Sequence, residues 1–407
     1  FCHTVETVID VSHLLPETTD TVKSVQEKVE DGSSDNSVAR GSTIEKMTMQ
    51  SEYSRGRCDP NGMTHLDSPP MNPVEIIYIE PMGGMHGDHI TPIDHIYINY
   101  DPNESHDVYA MADGYLVYAG HTGVDHRVII EYSCSLYSIY IHIQELGWAI
   151  ESQLEWMSPE GISKGRAYTR IPVKSGTVIG QVSGRGSFDA SVVDTRETLA
   201  GFVNLESYGG EFWKLHCMDP FDYWKGSFKQ DLLDKAIVVN EDSLGGKIDY
   251  DLDGKLVGNW FQKGTKGYQG VEQSKYWDGH LAIVPDHIDP TQWRFSIGNF
   301  EGPAAQFGLK GNGPDPENIT PETGVIIYEL VEYQHVVGKE ESRPLWGANR
   351  QLNWRSGESI FATNMDIVKG AALVQMEGPQ LLRVEAFPGK RADQVSGFTN
   401  DSKLYIR

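Results

Sequence analysis

Four stretches decide the fold: DVYAMADGYLVYAG at residues 107–120, HRVIIEYS at 126–133, LYSIYIHI at 136–143 and IPVKSGTVIGQVSG at 171–184. Each is short and rich in Val, Ile and Tyr, and glycine-containing turns punctuate them. Because the side chains of a strand point alternately to its two faces, such runs predict antiparallel strands that bury at least one face. The sequence therefore predicts a mainly β fold.

Composition narrows the class of protein. The 407 residues carry a formal net charge of −24, and 39% of them are hydrophobic. This charge would repel a phosphate backbone, and no basic stripe offsets it, so nucleic acid is excluded as a partner. No run reaches the roughly 18 apolar residues of a membrane-spanning helix. Because the chain begins at Phe1, we expect a removed leader and an extracellular or cell-surface location.

Composition also changes along the chain. Residues 1–71 are polar, acidic and rich in Ser and Thr, which predicts a flexible N-terminal extension. Residues 72–236 form one predicted β-domain, and the short strands of residues 237–407 predict a β-barrel or β-sandwich. The extension could join a neighbouring copy of the chain, so a homo-oligomer formed through this arm is an open hypothesis.

Histidines are crowded in the first β-domain. Seven of the fourteen lie between His86 and His142. Imidazole is the commonest metal ligand and titrates near neutral pH, so the crowding indicates a metal site or an acid/base site.

The order of these segments resembles the lysostaphin-type zinc metallopeptidases, also called the duplicated hybrid motif. The Ala-Asp-Gly turn at residues 112–114, the Tyr-x-His that ends at His142 and the V-x-x-G-x-V-I-G pattern of residues 173–180 carry the resemblance. It implies a β-domain with a peptidase groove. In that family, zinc is held by an early His-x-x-x-Asp motif and the second His of a late His-x-His.

The sequence departs from the family in both zinc motifs. His89 stands five residues before Asp94 rather than four, and GSFDASVVD at residues 186–194 replaces the late His-x-His. We predict His89 and Asp94 as metal ligands, and His95 and Asp189 as binding residues. The resemblance implies proton transfer or transition-state stabilisation for His142, which is the catalytic candidate.

Two further motifs are interpreted structurally. His121 and Asp125 have the family spacing, but they fall where the family has a hairpin loop, so we assign them no metal role. Gly258-Asn259-Trp260 faintly resembles the start of lipocalin barrels, where a Trp closes one end.

The four cysteines, Cys2, Cys58, Cys134 and Cys217, show no CxxC pattern, and one or two disulfides of open pairing are compatible with them.

The departures favour a degenerate, non-hydrolytic peptidase-like domain that binds cell-wall peptide, glycan or an extracellular protein, with either no cofactor or zinc. Two alternatives stay open. One is a divergent zinc endopeptidase that uses His89, Asp94 and Asp189 with His142 as acid/base. The other is a structural subunit of an extracellular assembly or filament.

Overall fold

The computed structural model describes residues 47–121, 123–156, 165–237, 244–338, 342–347 and 352–407. Residues 1–46, which are most of the predicted extension and include Cys2, lie outside the described residues, so the hypothesis of an oligomerising arm stays a prediction. No helix in the described ranges is long and apolar enough to cross a membrane.

Strands dominate both halves of the chain. The first half contains β1 (Tyr78–Glu80), β2 (Ile96–Asn99), β3 (His106–Tyr109), β4 (Gly114–His121), β5 (His126–Glu131), β6 (Leu136–Ile143), β7 (Glu145–Leu146), β8 (Arg166–Val173), β9 (Val178–Val182), β10 (Ser187–Asp194) and β11 (Cys217–Met218). The second contains β12 (Gly258–Gln262), β13 (His280–Pro285), β14 (Trp293–Ile297), β15 (Ala305–Leu309), β16 (Ile326–Val337), β17 (Arg343–Pro344), β18 (Ile360–Gly378), β19 (Leu381–Pro388) and β20 (Lys403–Ile406). The α-helices are single turns or little more: α1 (Trp148–Glu151), α2 (Pro220–Tyr223) and α3 (Phe228–Leu233).

The first half is built on an eight-stranded sheet with the order β1-β2-β10-β6-β5-β4-β8, and β11 pairs with β10. A three-stranded sheet, β3-β9-β7, accompanies it. The central strands β5 and β10 are buried along almost their whole length, although both carry polar and charged residues, and Asp189 is one of them. Strands β2, β10 and β6 are neighbours, and this places the predicted site residues near the centre of the sheet.

The second half closes into a ring. Its strand order is β15-β14-β13-β12-β20-β19-β18-β16, and β15 also pairs with β16, so eight strands form a barrel to which β17 is added. The prediction of a mainly β fold is confirmed. The sequence left a barrel and a sandwich open for the second half, and this half forms a barrel. Closure satisfies the strand edges that an open sheet would expose.

Trp260, from the Gly-Asn-Trp motif, is fully buried in the barrel core. Its indole Nε1 donates to the Leu256 carbonyl at 2.9 Å. The Arg407 guanidinium lies 4.2 Å from the centre of its ring, which adds a cation–π contact at the end of the chain. This is the structural role that the sequence predicted for the residue.

Residues 47–71 differ from the prediction of a flexible extension. Met49, Leu66 and Met71 are fully buried in the core of the first half, and Cys58 forms a disulfide with Cys134 beside β6. These apolar residues are too widely spaced to produce a helical or strand period, which is why the composition of the segment was misleading. Only tertiary packing shows that this part of the chain is folded.

The two halves share a continuous core near residue 236. Phe261 and Tyr268, from the barrel half, belong to the same apolar cluster as the first sheet. Ala236 forms a parallel bridge with Ile79, and Gly246 forms one with Met82. Residues on both sides of this boundary therefore lie beside β1 or the residues directly after it.

The buried His280 makes a testable contribution to acid sensitivity. Its Nε2 donates to the Tyr268 carbonyl at 3.0 Å, and burial lowers its pKa from 6.5 to about 3. Below pH 6.5 the unfolded chain binds a proton at His280 that the folded chain does not bind. The contribution of neutral His280 to the free energy of unfolding is therefore complete above pH 6.5 and is lost as the pH falls toward 3.

We expect this group alone to lower the free energy of unfolding by about 2 kcal/mol between pH 6.5 and pH 5. Urea unfolding of the wild type and of His280→Gln at both pH values measures the effect. The variant should show a shallower pH dependence by about that amount. Equal pH dependence in the two proteins would contradict the assignment.

Candidate functional site

The site is centred on Asp189 in the middle of the first sheet. Asp189 on β10 lies opposite Tyr97 on β2 and opposite Ile141 on β6. His95 precedes Tyr97 by two residues, and its ring meets the Tyr97 ring edge-on at a centroid distance of 4.9 Å. Residues two apart on a strand share a face, so His95, Tyr97 and Asp189 lie on the same side of the sheet.

His142 reaches this face through an irregular backbone. It follows Ile141, and in a regular strand it would therefore point away from Asp189. Its φ is +71°, and the pairing of β5 with β6 shifts register at this point. A bulge with a left-handed non-glycine residue is costly and is found disproportionately at functional sites. Here it turns the imidazole toward Asp189.

The two imidazoles flank one carboxylate oxygen. His95 Nε2 lies 3.3 Å from Asp189 Oδ2, and His142 Nε2 lies 3.5 Å from the same atom. Each ring has a second carboxylate on its other nitrogen: Asp94 Oδ1 lies 3.2 Å from His95 Nδ1, and Asp125 Oδ2 accepts from His142 Nδ1 at 2.6 Å. All five side chains are buried.

A buried lysine completes the network beyond Asp94. Lys214 Nζ lies 3.1 Å from Asp94 Oδ1 and 3.4 Å from Glu211 Oε2, and its side chain is only 6% exposed. Trp213 Nε1 donates to the other oxygen of Asp94 at 3.1 Å. Lys214 also lies 4.8 Å from the ring centre of Tyr268, so the barrel half contacts this network directly.

Acidic and basic side chains alternate along the resulting chain of contacts, which runs in the order Asp125, His142, Asp189, His95, Asp94, Lys214 and Glu211. Burial alone would raise the pKa of Asp94, but the Lys214 ammonium and His95 hold it well below its usual range. Burial would lower the pKa of His95, but the Asp189 and Asp94 carboxylates raise it. The network therefore favours a carboxylate at Asp94 and an imidazolium at His95.

Two buried polar atoms at the centre have no hydrogen-bond partner among the described residues. They are His95 Nε2, whose contact with Asp189 lacks hydrogen-bond alignment, and Asp189 Oδ1. Buried polar groups are nearly always paired, so a donor and an acceptor side by side mark a place where a ligand or water is expected to bind.

The predicted residues thus fall into two groups. His95, Asp189 and His142 come together, whereas His89 lies at the margin, with its ring 6.2 Å from that of His95. Burial lowers the pKa of His89 well below its usual range, and the charge of His95 lowers it further. Asp94 touches His95 but faces Lys214. Metal ligation by His89 and Asp94 stays a prediction.

Sequence reasoning missed Asp125 and Lys214. Asp125 belongs to the His-Thr-Gly-Val-Asp segment that we assigned no metal role, and it lies against His142 because β5 and β6 form a hairpin. A carboxylate immediately before β5 was the available signal. Lys214 had none, since its partner Asp94 lies 120 positions earlier in the chain.

Known proteins resemble the chain only remotely. No protein-family model and no curated protein matches the sequence. Among solved structures, Helicobacter pylori Csd3 shares 17% identity at a TM-score of 0.24, and the match covers 40% of this chain and 34% of Csd3. The SpoIIQ-SpoIIIAH pore forming complex shares 12% identity at a TM-score of 0.25, over 40% of this chain and 93% of that chain.

A third solved structure is the catalytic domain of EnpA, a prophage-encoded M23 protein from Enterococcus faecalis. It shares 14% identity at a TM-score of 0.19, and the match covers 33% of this chain and 80% of that domain. This chain spans about a third of the length of Csd3. Similarities with such low TM-scores establish neither an activity nor a ligand for this chain.

Proposed function

We propose that the first half of the chain is a degenerate peptidase-like domain that binds a peptide or glycan outside the cell and does not hydrolyse it. The observation that carries the proposal is the unpartnered pair formed by His95 Nε2 and Asp189 Oδ1. A peptide group or a sugar hydroxyl offers both an acceptor and a donor, which complements this pair.

The charge network argues against a zinc centre at the Asp189 site. Asp94 is already neutralised by the Lys214 ammonium, whose pKa the Asp94 and Glu211 carboxylates raise against the opposing effect of burial. His95 faces a carboxylate at each nitrogen, and an imidazolium has no lone pair to give to a metal. Lys214 thus supplies the positive charge that a metal ion would supply to Asp94.

The Asp189 site also lacks the donor geometry of a zinc site. A metal site needs several His or carboxylate ligand atoms close together. Within the described ranges, a group of such atoms that all lie within 4.8 Å of one another is found in the barrel and not around Asp189. A catalytic zinc needs three protein donors around one point. The residues around Asp189 therefore do not fit zinc as arranged, and we derive no hydrolytic step through it.

One observation favours the alternative of a zinc endopeptidase. The short contact between His142 Nδ1 and Asp125 is the carboxylate–histidine pair that orients imidazoles in metal sites and acid/base sites. Rearrangement of His95 would then be required before a metal could bind. The two functions differ in whether a bound peptide is cut.

Binding and cleavage can be measured in one experiment. A synthetic cross-bridged cell-wall peptide and a cell-wall glycan oligomer are titrated against the wild type, with and without EDTA, and recovered for mass analysis. We expect binding of one of them, unchanged by EDTA, with the probe recovered intact. Asp189→Asn should weaken binding at least about tenfold, because it replaces one acceptor oxygen and the charge between the two histidines.

Asp113→Asn is the matched control, since Asp113 is a half-exposed carboxylate that pairs with Lys174 and is not part of the Asp189 network. It should bind like the wild type. Cleavage of the peptide that EDTA abolishes would establish the alternative function. Equal binding by the wild type and Asp189→Asn would refute the site.

A further inference from the structure

A second cluster of histidines and carboxylates lies where the barrel meets the first sheet. Asp286 and His287 directly follow β13, and His335 lies on β16. Glu80, the last residue of β1, approaches from the other half of the chain. Asp286 is 2% exposed and His335 8% exposed, so the cluster is buried.

We propose that Asp286, His287 and His335 bind a zinc ion and that Glu80 completes the coordination as the fourth ligand. One donor atom from each of the first three residues lies within 4.8 Å of the other two. His335 Nε2 lies 2.9 Å from Asp286 Oδ1, and His287 Nε2 lies 3.2 Å from Glu80 Oε1. Ligand atoms around a tetrahedral zinc are separated by about 3.3 Å, so small adjustments bring the donors of Asp286, His287 and His335 to one centre, and Glu80 reaches that centre by a larger movement of its side chain from its present contact with His287.

The donor set selects the metal. Two imidazole nitrogens and two carboxylate oxygens suit zinc, whereas calcium and magnesium prefer oxygen ligands alone. Four protein ligands leave no open position, which is the arrangement of a structural zinc rather than a catalytic one. The expected role is to hold the barrel against the first sheet.

Surrounding groups hold Asp286 in place. Arg294 Nε donates to Asp286 Oδ2 at 2.7 Å, and the backbone N–H groups of Ile288 and Asp289 donate to Oδ1 at 3.0 and 2.8 Å. Ligating carboxylates are commonly hydrogen-bonded in this way, which fixes their orientation. The positive charge of Arg294 lowers the affinity for a cation, as Lys214 does beside Asp94. This cluster differs from the Asp189 site because its three donor atoms already lie within 4.8 Å of one another, and His287 and His335 release any proton on Nε2 when the metal binds.

The backbone of the first half covers the cluster closely. A Cβ added to Gly84 would lie 3.3 Å from His287 Nε2, and one added to Gly83 would lie 2.4 Å from the Lys247 carbonyl. Glycine at both positions lets the loop after β1 pack directly against His287. This loop therefore covers one side of the His287 imidazole.

Zinc content tests the proposal independently of the binding function proposed for the Asp189 site. Tag-free full-length protein is dialysed against micromolar zinc and then against metal-free buffer, and bound zinc is measured by mass spectrometry. We expect about one zinc ion per chain in the wild type and less than about a tenth of that in the double variant His287→Gln/His335→Gln. Zinc should also raise the melting temperature of the wild type and leave that of the double variant unchanged.

Asp189→Asn is the matched control, because it alters the network around Asp189 and leaves the barrel cluster intact. It should retain its zinc. If the double variant does not fold, Glu80→Gln provides the test: it keeps a hydrogen-bond acceptor for His287, and we expect at least about tenfold weaker zinc binding. Wild-type protein without zinc, or zinc retained by a folded double variant and lost by Asp189→Asn, would overturn the proposal.

Discussion

Lys214→Met is expected to lower the free energy of unfolding by about 3–5 kcal/mol. The substitution removes the ammonium that lies 3.1 Å from Asp94 and 3.4 Å from Glu211, and it leaves the buried Asp94 with His95 alone and the partly buried Glu211 without its ion-pair partner. Met has nearly the same length, so packing changes little and the effect isolates the charge. Urea unfolding at neutral pH measures the difference.

Lys174→Met is the matched control. Lys174 Nζ lies 2.6 Å from Asp113, but its side chain is 82% exposed. An exposed ion pair contributes little to stability, because water and salt screen it and two long side chains lose rotamer freedom. Similar losses for the two variants would contradict the view that burial makes the Lys214 network important.

A second substitution tests the same network by compensation. Replacement of Asp94 by Asn in the Lys214→Met background should recover part of the lost stability, because one of the two uncompensated charges is then removed. Additive losses in the double variant would show that Lys214 and Asp94 do not interact.

Removal of the Cys58–Cys134 disulfide is expected to lower the free energy of unfolding by about 4 kcal/mol. The bond joins residues 76 positions apart, so it strongly restricts the number of conformations open to the unfolded chain. It also ties residues 47–71 to the strand that carries His142. Urea unfolding of Cys58→Ser/Cys134→Ser under non-reducing conditions, against the oxidised wild type, measures the loss.

Cys217→Ala is the control for this pair, because Cys217 is a buried free thiol. We expect a loss of roughly 1 kcal/mol from the small volume change. Dithiothreitol should destabilise the wild type and Cys217→Ala, and leave the double serine variant unaffected. Destabilisation of all three proteins by the reductant would contradict the assigned bond.

Much of the fold was readable from local pattern. The runs at 107–120, 126–133 and 136–143 became β3 to β6, because the two-residue period and the glycine turns act within a few residues. His95, Asp189 and His142 were also selected from sequence, and their side chains converge. The choice between barrel and sandwich was not readable, because it depends on whether β15 pairs with β16.

The electrostatics of the site could not be read from sequence. Lys214, Asp125 and Glu80 lie beside their partners only in the folded chain, and a residue's sign of charge says nothing about which distant residue it will meet. His142 reaches Asp189 through one left-handed residue that no composition or period predicts. The sequence by itself determined the strands and the residue types at the centre of the sheet. Tertiary structure decided their partners, because burial and close approach set whether a carboxylate meets a proton, an ammonium or a metal ion.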